Sequence, residues 1–210
     1  MDPLIGGYSP IYLIVTGICM GLSWLAGQML QRRFREFSGL PVAMTGKDIA
    51  ERMLADNGIS DVRVISTAGQ LTDHYNPADR TVNLSEVVYR QANVAAAAVA
   101  AHEVGHAVQH ATSYSFLQMR SKLVPVVSVS SKLSRYVFTA GLILAGSGRP
   151  ELFLAGIVLF AATTLFSIVT LPVEFNASAR ALGWLEDSGL SGAYHGQAKT
   201  ALFWAAMTYC

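Results

Sequence analysis

The stretch "AAHEVGHAVQH" (residues 100–110) decides how the chain is read. It continues an alanine-rich run that opens at Asn93, and propensity and length predict a helix with Asn93 as its cap. Residues four apart share a helix face, so the imidazoles of His102 and His106 can hold one zinc ion. Glu103 stands one step further round, turned from the ion, where it can work on a water instead of binding metal. The bland alternative is an amphipathic helix with scattered surface histidines. A further ligand has to decide between them.

Two local candidates for that ligand fail. The extended pattern HExxHxxGxxH needs Gly at 109 and His at 112, where this chain has Gln109 and Thr112. His110 is eight residues past His102, hence rotated by about 80° and displaced along the axis; it reads as a surface residue or one behind the ligands. A carboxylate from elsewhere in the chain is the remaining choice.

Composition sets the frame for finding it. Hydrophobic residues make up 52% of the 210 residues, charged residues only 14%, and the mean hydropathy is +0.38. Soluble domains carry about 25% charged residues. The apolar residues collect at the start, after residue 122 and at the end. A net charge of +1 offers nothing to a nucleic acid. Cys19 and Cys210 are the only cysteines, so neither a disulfide framework nor a CxxC zinc motif is available.

The expected fold class is therefore a mainly α-helical membrane protein. It has three to four transmembrane helices and a small cytoplasmic α+β unit of zincin type. "IYLIVTGICMGLSWLAGQML" (11–30) is uncharged and as long as a bilayer core requires, roughly 30 Å at about 1.5 Å per residue. "QRRFRE" follows it, which by the positive-inside rule puts the N-terminus outside and residue 31 onward in the cytoplasm. "LFLAGIVLFAATTLFSIVTL" (152–171) is a second such run. The shorter "YVFTAGLILAGSG" (136–148), fronted by Lys132 and Arg135, reads as its hairpin partner starting near Leu123, with "SGRP" (147–150) as an external turn. The division is then 1–35, first span and basic flank; 36–122, cytoplasmic zincin-like part; 123–171, transmembrane hairpin; 172–210, returning cytoplasmic helix and apolar C-terminal helix. The expected location is the bacterial inner membrane, multi-pass, with the site on the cytoplasmic side.

Within 36–122, "TGKDIAERMLADNG" predicts a helix capped by Thr45 with Asp48 three residues on and Gly58 past its end. "DVRVIST" alternates as a strand does, and "QLTDHYNPADRTVNLS" predicts two short strands about the turn "NPAD". The hairpin returns "TLPVEFNASARALGWLED" to the compartment of the histidines, with Pro172 at a first helical position and Glu174 close behind. An acid there also suits the helix dipole, and the two readings of Glu174 stand even until topology favours the ligand. Glu151 sits at the external turn, and Glu186 and Asp187 read as solvated residues at a helix end.

"AAHEVGHAVQHATSYSFLQMRSKLVPV", "TLPVEFNASARAL" and "LTDHYNPADRTVNLS" together resemble the YugP-type family of neutral zinc metallopeptidases, which are bacterial membrane proteins. The likeness covers nearly the whole chain, from the first apolar run to "AAMTY". "EFNAS" is more distantly similar to the EFxAD motif of membrane metalloproteases of the heat-shock HtpX and CAAX-processing types. The resemblance implies a gluzincin site with His102, His106 and Glu174 as ligands of one zinc ion per chain and Glu103 as base. Ser178 departs from the distant relatives, which have aspartate there. Arg180 matches the closer family's pattern, while Ala179 stands where an arginine is expected beside it.

The expected activity is metal-assisted peptide hydrolysis at or near the inner face of the membrane. Its partners are a polypeptide substrate, the lipid bilayer and a homo-oligomer or membrane complex, with no nucleic acid. Arg180, His195 and Tyr209, in that order, are candidates for a second oxyanion donor. His74 reads as a hairpin histidine, and the strand around 80–84 is a candidate to take substrate as an added strand. The alternatives are an inactive zinc-binding membrane scaffold and a metal transporter. A transporter calls for ionisable residues within the spans, and 11–30 and 152–171 have none.

Overall fold

The computed structural model describes residues 10–144, 151–190 and 194–207. The chain runs α1 (Pro10–Ser38), α2 (Gly46–Asp56), β1 (Arg63–Thr67), β2 (His74–Asn76), β3 (Thr81–Ser85), α3 (Glu86–Arg90), α4 (Val94–Ala111), α5 (Ser115–Leu144), α6 (Glu151–Asp187) and α7 (His195–Met207).

Local chemistry starts and stops the early elements as expected. Thr45 caps α2 in a reciprocal capping box, its side chain accepting from the Asp48 amide while Asp48 Oδ2 accepts from the Thr45 amide at 3.1 Å. Gly58, at φ +69°, leaves the helix in the left-handed region that a side chain disfavours. Asn76 Oδ1 accepts from the amides of Ala78 and Asp79, an Asx turn that folds "NPAD" and returns β2 into β3. The strand order is β1-β3-β2, with β3 parallel to β1 and antiparallel to β2. β3 is buried along its whole length. Both its edges are taken, so residues 80–84 cannot accept a further strand. β2 is the edge on the side of α4.

The core forms around α4. Asn93 caps it, Oδ1 accepting from the Ala96 amide at 2.8 Å. Its buried face is nearly the full circumference: Ala95, Ala96, Ala98, Ala100, Ala101, Val104 and Ala107 all lie inside. A helix buried all round must be narrow to admit neighbours on every side. The alanines make it so, and α1, α2, α3, α6 and α7 pack against it. Ile49, Met53 and Leu54 of α2 and Val82 and Leu84 of β3 complete the same cluster.

α4 and α6 approach each other closely at Gly105. A Cβ built on Gly105 would fall 2.6 Å from the carbonyl oxygen of Ala177 and 3.1 Å from its Cα, so glycine alone lets the two backbones meet there. α5 lies along α6 to complete a long antiparallel pair.

The membrane-spanning fold expected from composition is not what the structure contains. α1, α5 and α6 have 29, 30 and 37 residues, which is length enough. Among the described residues, however, no helix is long and apolar enough to cross a membrane. Arg120, Lys122 and Lys132 fall inside α5, and α6 runs unbroken past residue 171 through Pro172, Glu174 and Arg180. Pro172 is thus interior to a helix and not at its start. The multi-pass inner-membrane placement, and with it the sidedness of terminus and site, loses its basis. The turn 147–150 and the N-terminal residues 1–9 lie outside the described residues. Several apolar side chains of α1, among them Ile18, Met20, Leu22 and Trp24, are exposed instead of joining the core.

Gly105→Ala should lower the thermal midpoint by an amount equivalent to about 1–3 kcal/mol, because a backbone carbonyl, not a movable side chain, is in the way. Gly183→Ala on α6 meets nothing within 4 Å and should be neutral or stabilising. Paired melting curves of the two variants check this.

Candidate metal centre

His102 and His106 project from the middle of α4 towards α6, and Glu174 projects back from α6 between them. Glu174 Oε2 is 3.1 Å from His102 Nε2 and 3.6 Å from His106 Nε2. The three residues are buried, and one ligand atom from each lies within 4.8 Å of the others. Donors at about 2.0–2.1 Å from a tetrahedral ion stand about 3.3 Å apart, so the two distances bracket what zinc requires. The rings stand nearly at right angles, 81° with centroids 4.7 Å apart, which aims two nitrogens at one point without stacking. Glu174 Oε1 is buried with no hydrogen-bond partner among the described residues. With Arg120 Nη1 3.4 Å from Oε1 but no hydrogen bond made to it, the buried carboxylate still has capacity for a further cation beside the two imidazoles. The donor set fits a zinc ion.

The far nitrogens of both rings are held by the protein. Gln109, three residues after His106 and fully buried, donates through Nε2 to the Val173 carbonyl at 2.8 Å and to Asn176 Oδ1 at 3.0 Å. Its Oε1 is therefore the atom facing His106 Nδ1 at 3.0 Å, and an amide oxygen can only accept. His106 must carry its proton on Nδ1, which leaves Nε2 with the lone pair whenever the ring is neutral. His102 Nδ1 is 3.1 Å from Ser178 Oγ on α6. The serine that departs from the distant aspartate motif thus occupies the place behind His102, as a neutral partner.

Burial, the largest single influence, pushes the His106 pKa down, but Glu174, Glu103 and Gln109 outweigh it and the pKa ends above the ordinary value. For Glu174, burial again is largest and acts upward, yet hydrogen bonds from His102 and His106 and their charges hold its carboxyl far below the usual carboxylate range.

Glu103 lies beside the pair, its Oε2 accepting the backbone N–H of Tyr75 from edge strand β2 at 3.0 Å. The centre opens into a cavity of about 660 Å³ lined by Tyr75, His110, Leu117, Arg120 and Val124 among others. A separate hollow between α1 and β3 is lined by none of the three clustered residues. His110 reaches this cavity and stays outside the trio, with its Nδ1 2.8 Å from the Tyr75 hydroxyl. His74 also lines it, donating from Nδ1 to the Thr72 carbonyl.

The candidate oxyanion donors fall elsewhere. Arg180 Nε donates to Asn176 Oδ1 at 2.8 Å, behind Gln109, and is not among the residues lining the cavity. His195 is 4.0 Å from Glu186 Oε2. Tyr209 lies outside the described residues. Arg120 was not singled out by the sequence; its Nη1 is 3.4 Å from Glu174 Oε1. Gln109 and Ser178 could have been found by spacing, three after His106 and four after Glu174. Arg120 could not, because only the path of α5 past α6 brings it there.

A family described as "Putative neutral zinc metallopeptidase" matches residues 12–210 of this chain. The chain belongs to this family of zinc metallopeptidases. It is 42% identical over 173 residues, 81% of this chain and 76% of the relative, to the protein of Bacillus subtilis (strain 168) named "Putative membrane protease YugP". No solved structure matches it.

Substituting Gln109 by Leu should weaken zinc binding about 10–100-fold, and Ser178→Asp should strengthen it by giving His102 a carboxylate to donate to; competition titration with a chromogenic chelator measures both. The metal-free protein should be most stable in mild acid. Glu174, lowered from 4.5, contributes stability that is complete above that value and is lost as pH falls through its folded pKa. His106, raised from 6.5, contributes stability that is complete below that value and is lost as pH rises through its folded pKa. Melting of zinc-stripped protein across pH should therefore peak between 4.5 and 6.5, and a maximum above pH 7 contradicts the assignment.

Proposed function

We propose that the chain is a zinc-dependent metalloendopeptidase of the gluzincin type, with His102, His106 and Glu174 holding one ion and Glu103 as general base. The observation that carries this reading is the buried trio: two imidazole nitrogens and a carboxylate oxygen at tetrahedral spacing, one from each residue. Family membership supports a polypeptide as substrate.

A zinc ion bound by this trio supplies Lewis acidity that polarises the scissile carbonyl and eases deprotonation of water. The remaining work falls to the chain. Glu103 accepts the proton of the attacking water and delivers it to the leaving nitrogen. The Tyr75 amide steadies its carboxylate, and the edge of β2 offers backbone groups to an extended chain in the cavity. Gln109 keeps the His106 ring in the ligating tautomer, and Ser178 helps to orient the His102 ring.

The test is a matched pair. Wild type and Glu103→Gln should bind zinc at one per chain, while cleavage of an unstructured protein falls about 10²–10⁴-fold in the variant. Equal turnover by both removes Glu103 as base. Zinc retained with cleavage by neither converts the protein into an inactive zinc-binding scaffold.

A further inference from the structure

Water addition to a peptide carbonyl places a full charge on the carbonyl oxygen, and a second donor besides the metal pays part of the stabilisation. Neither cation chosen from sequence lines the cavity: Arg180 donates to Asn176, and His195 stands beside Glu186. Arg120 does. It enters from the first turns of α5, lines the cavity, and among the described residues is the one arginine or lysine that does so. Its side chain is 26% exposed, which in this position means open to the cavity.

Its contact with Glu174 is one of charge and not of alignment. Nη1 is 3.4 Å from Oε1, yet Oε1 counts no hydrogen-bond donor, and no hydrogen bond from Arg120 is found among the described residues. The guanidinium therefore stands one ligand atom from any ion held by Oε2 with its N–H groups unspent. A permanent, planar cation that lines the cavity beside Glu174 with its N–H groups unsaturated is suited to receive a charge that develops only during reaction.

We propose that Arg120 is the second oxyanion donor, a catalytic residue of the hydrolase; the inference rests on the function proposed above. When water adds, its oxygen bonds to the carbonyl carbon, its proton passes to Glu103, and the C=O π pair moves to the oxygen that faces Arg120. On collapse that pair re-forms C=O, the C–N bond breaks with its electrons going to nitrogen, and the nitrogen takes the proton from Glu103. One water is consumed and no oxidant or reductant is needed.

The experiment uses the full, zinc-loaded chain with Arg120→Ala, Arg120→Gln and Arg120→Lys. Three quantities are read: zinc affinity by competition, kcat and KM on a quenched peptide, and calorimetric affinity for a phosphonamidate peptide, which carries a tetrahedral anion. Arg120→Ala and Arg120→Gln should keep zinc affinity within about threefold, lose about 10²–10³-fold in kcat with little change in KM, and lose phosphonamidate affinity in step. Arg120→Lys, retaining charge without the fork, should fall between. A kcat within threefold of wild type overturns the proposal. So does a loss of zinc affinity that accounts for the loss of activity, since Arg120 then only holds Glu174. If wild type cleaves nothing, the hydrolase reading fails by itself, and the phosphonamidate titration still decides: equal affinity in wild type and Arg120→Ala overturns the contact, and a selective loss in the variant supports it.

Discussion

The approach of α4 to α6 at Gly105 is the constraint on which the rest turns. The two histidines come from one helix and the carboxylate from another, 68 residues further along the chain, so the three atoms share a point only if the helix axes are fixed to within a fraction of an ångström. Gly105 lies between His102 and His106, and the carbonyl of Ala177 that it admits lies between Glu174 and Ser178. The contact that sets the spacing of the helices is therefore the contact that sets the spacing of the three clustered side chains. The alanines elsewhere on α4 extend the same economy of volume to α1, α2 and α7.

Around this contact the polar groups are arranged in pairs with separate tasks. The nitrogens facing Glu174 are left for a cation, and the opposite nitrogens are engaged by Gln109 and Ser178. Both partners are neutral. A carboxylate in either place would make the ring a stronger donor and bind the metal more tightly. A neutral amide and hydroxyl would leave more positive character on a bound ion, which favours Lewis acidity over retention. The sheet contributes differently: β2 is short and at an edge, and its Tyr75 amide holds Glu103, so that carboxylate is positioned by backbone, not by another side chain.

What could be read from sequence was what short-range chemistry determines. Thr45 with Asp48, Asn93 before the alanine run, and Asn76 in "NPAD" each bond within three residues, and each cap or turn is where the spacing puts it. His102 and His106 are likewise a local pair. Glu174 was reachable only through an assumption about topology and a resemblance; the structure brings it to the histidines by helix packing instead. The apolar runs were misread because a long uncharged stretch reports only that its residues avoid water. It does not say where a helix begins or ends, and here α6 carries the run straight on into Glu174 and Arg180. Arg120 was invisible for a related reason: its partner is 54 residues away and no pattern links them.

Gln109 spends both its amide hydrogens and its oxygen on three different partners, Val173, Asn176 and His106, and Asn176 in turn is engaged by Arg180. The bonds run as one chain from His106 through Gln109 and Asn176 to Arg180. Exchange of a single member strands a buried donor or acceptor, so these positions cannot drift one at a time. Substitutions here must arrive together or not at all, and divergence in this part of the lineage is expected to be concerted, whereas the exposed faces of α1 and α2 are free to wander.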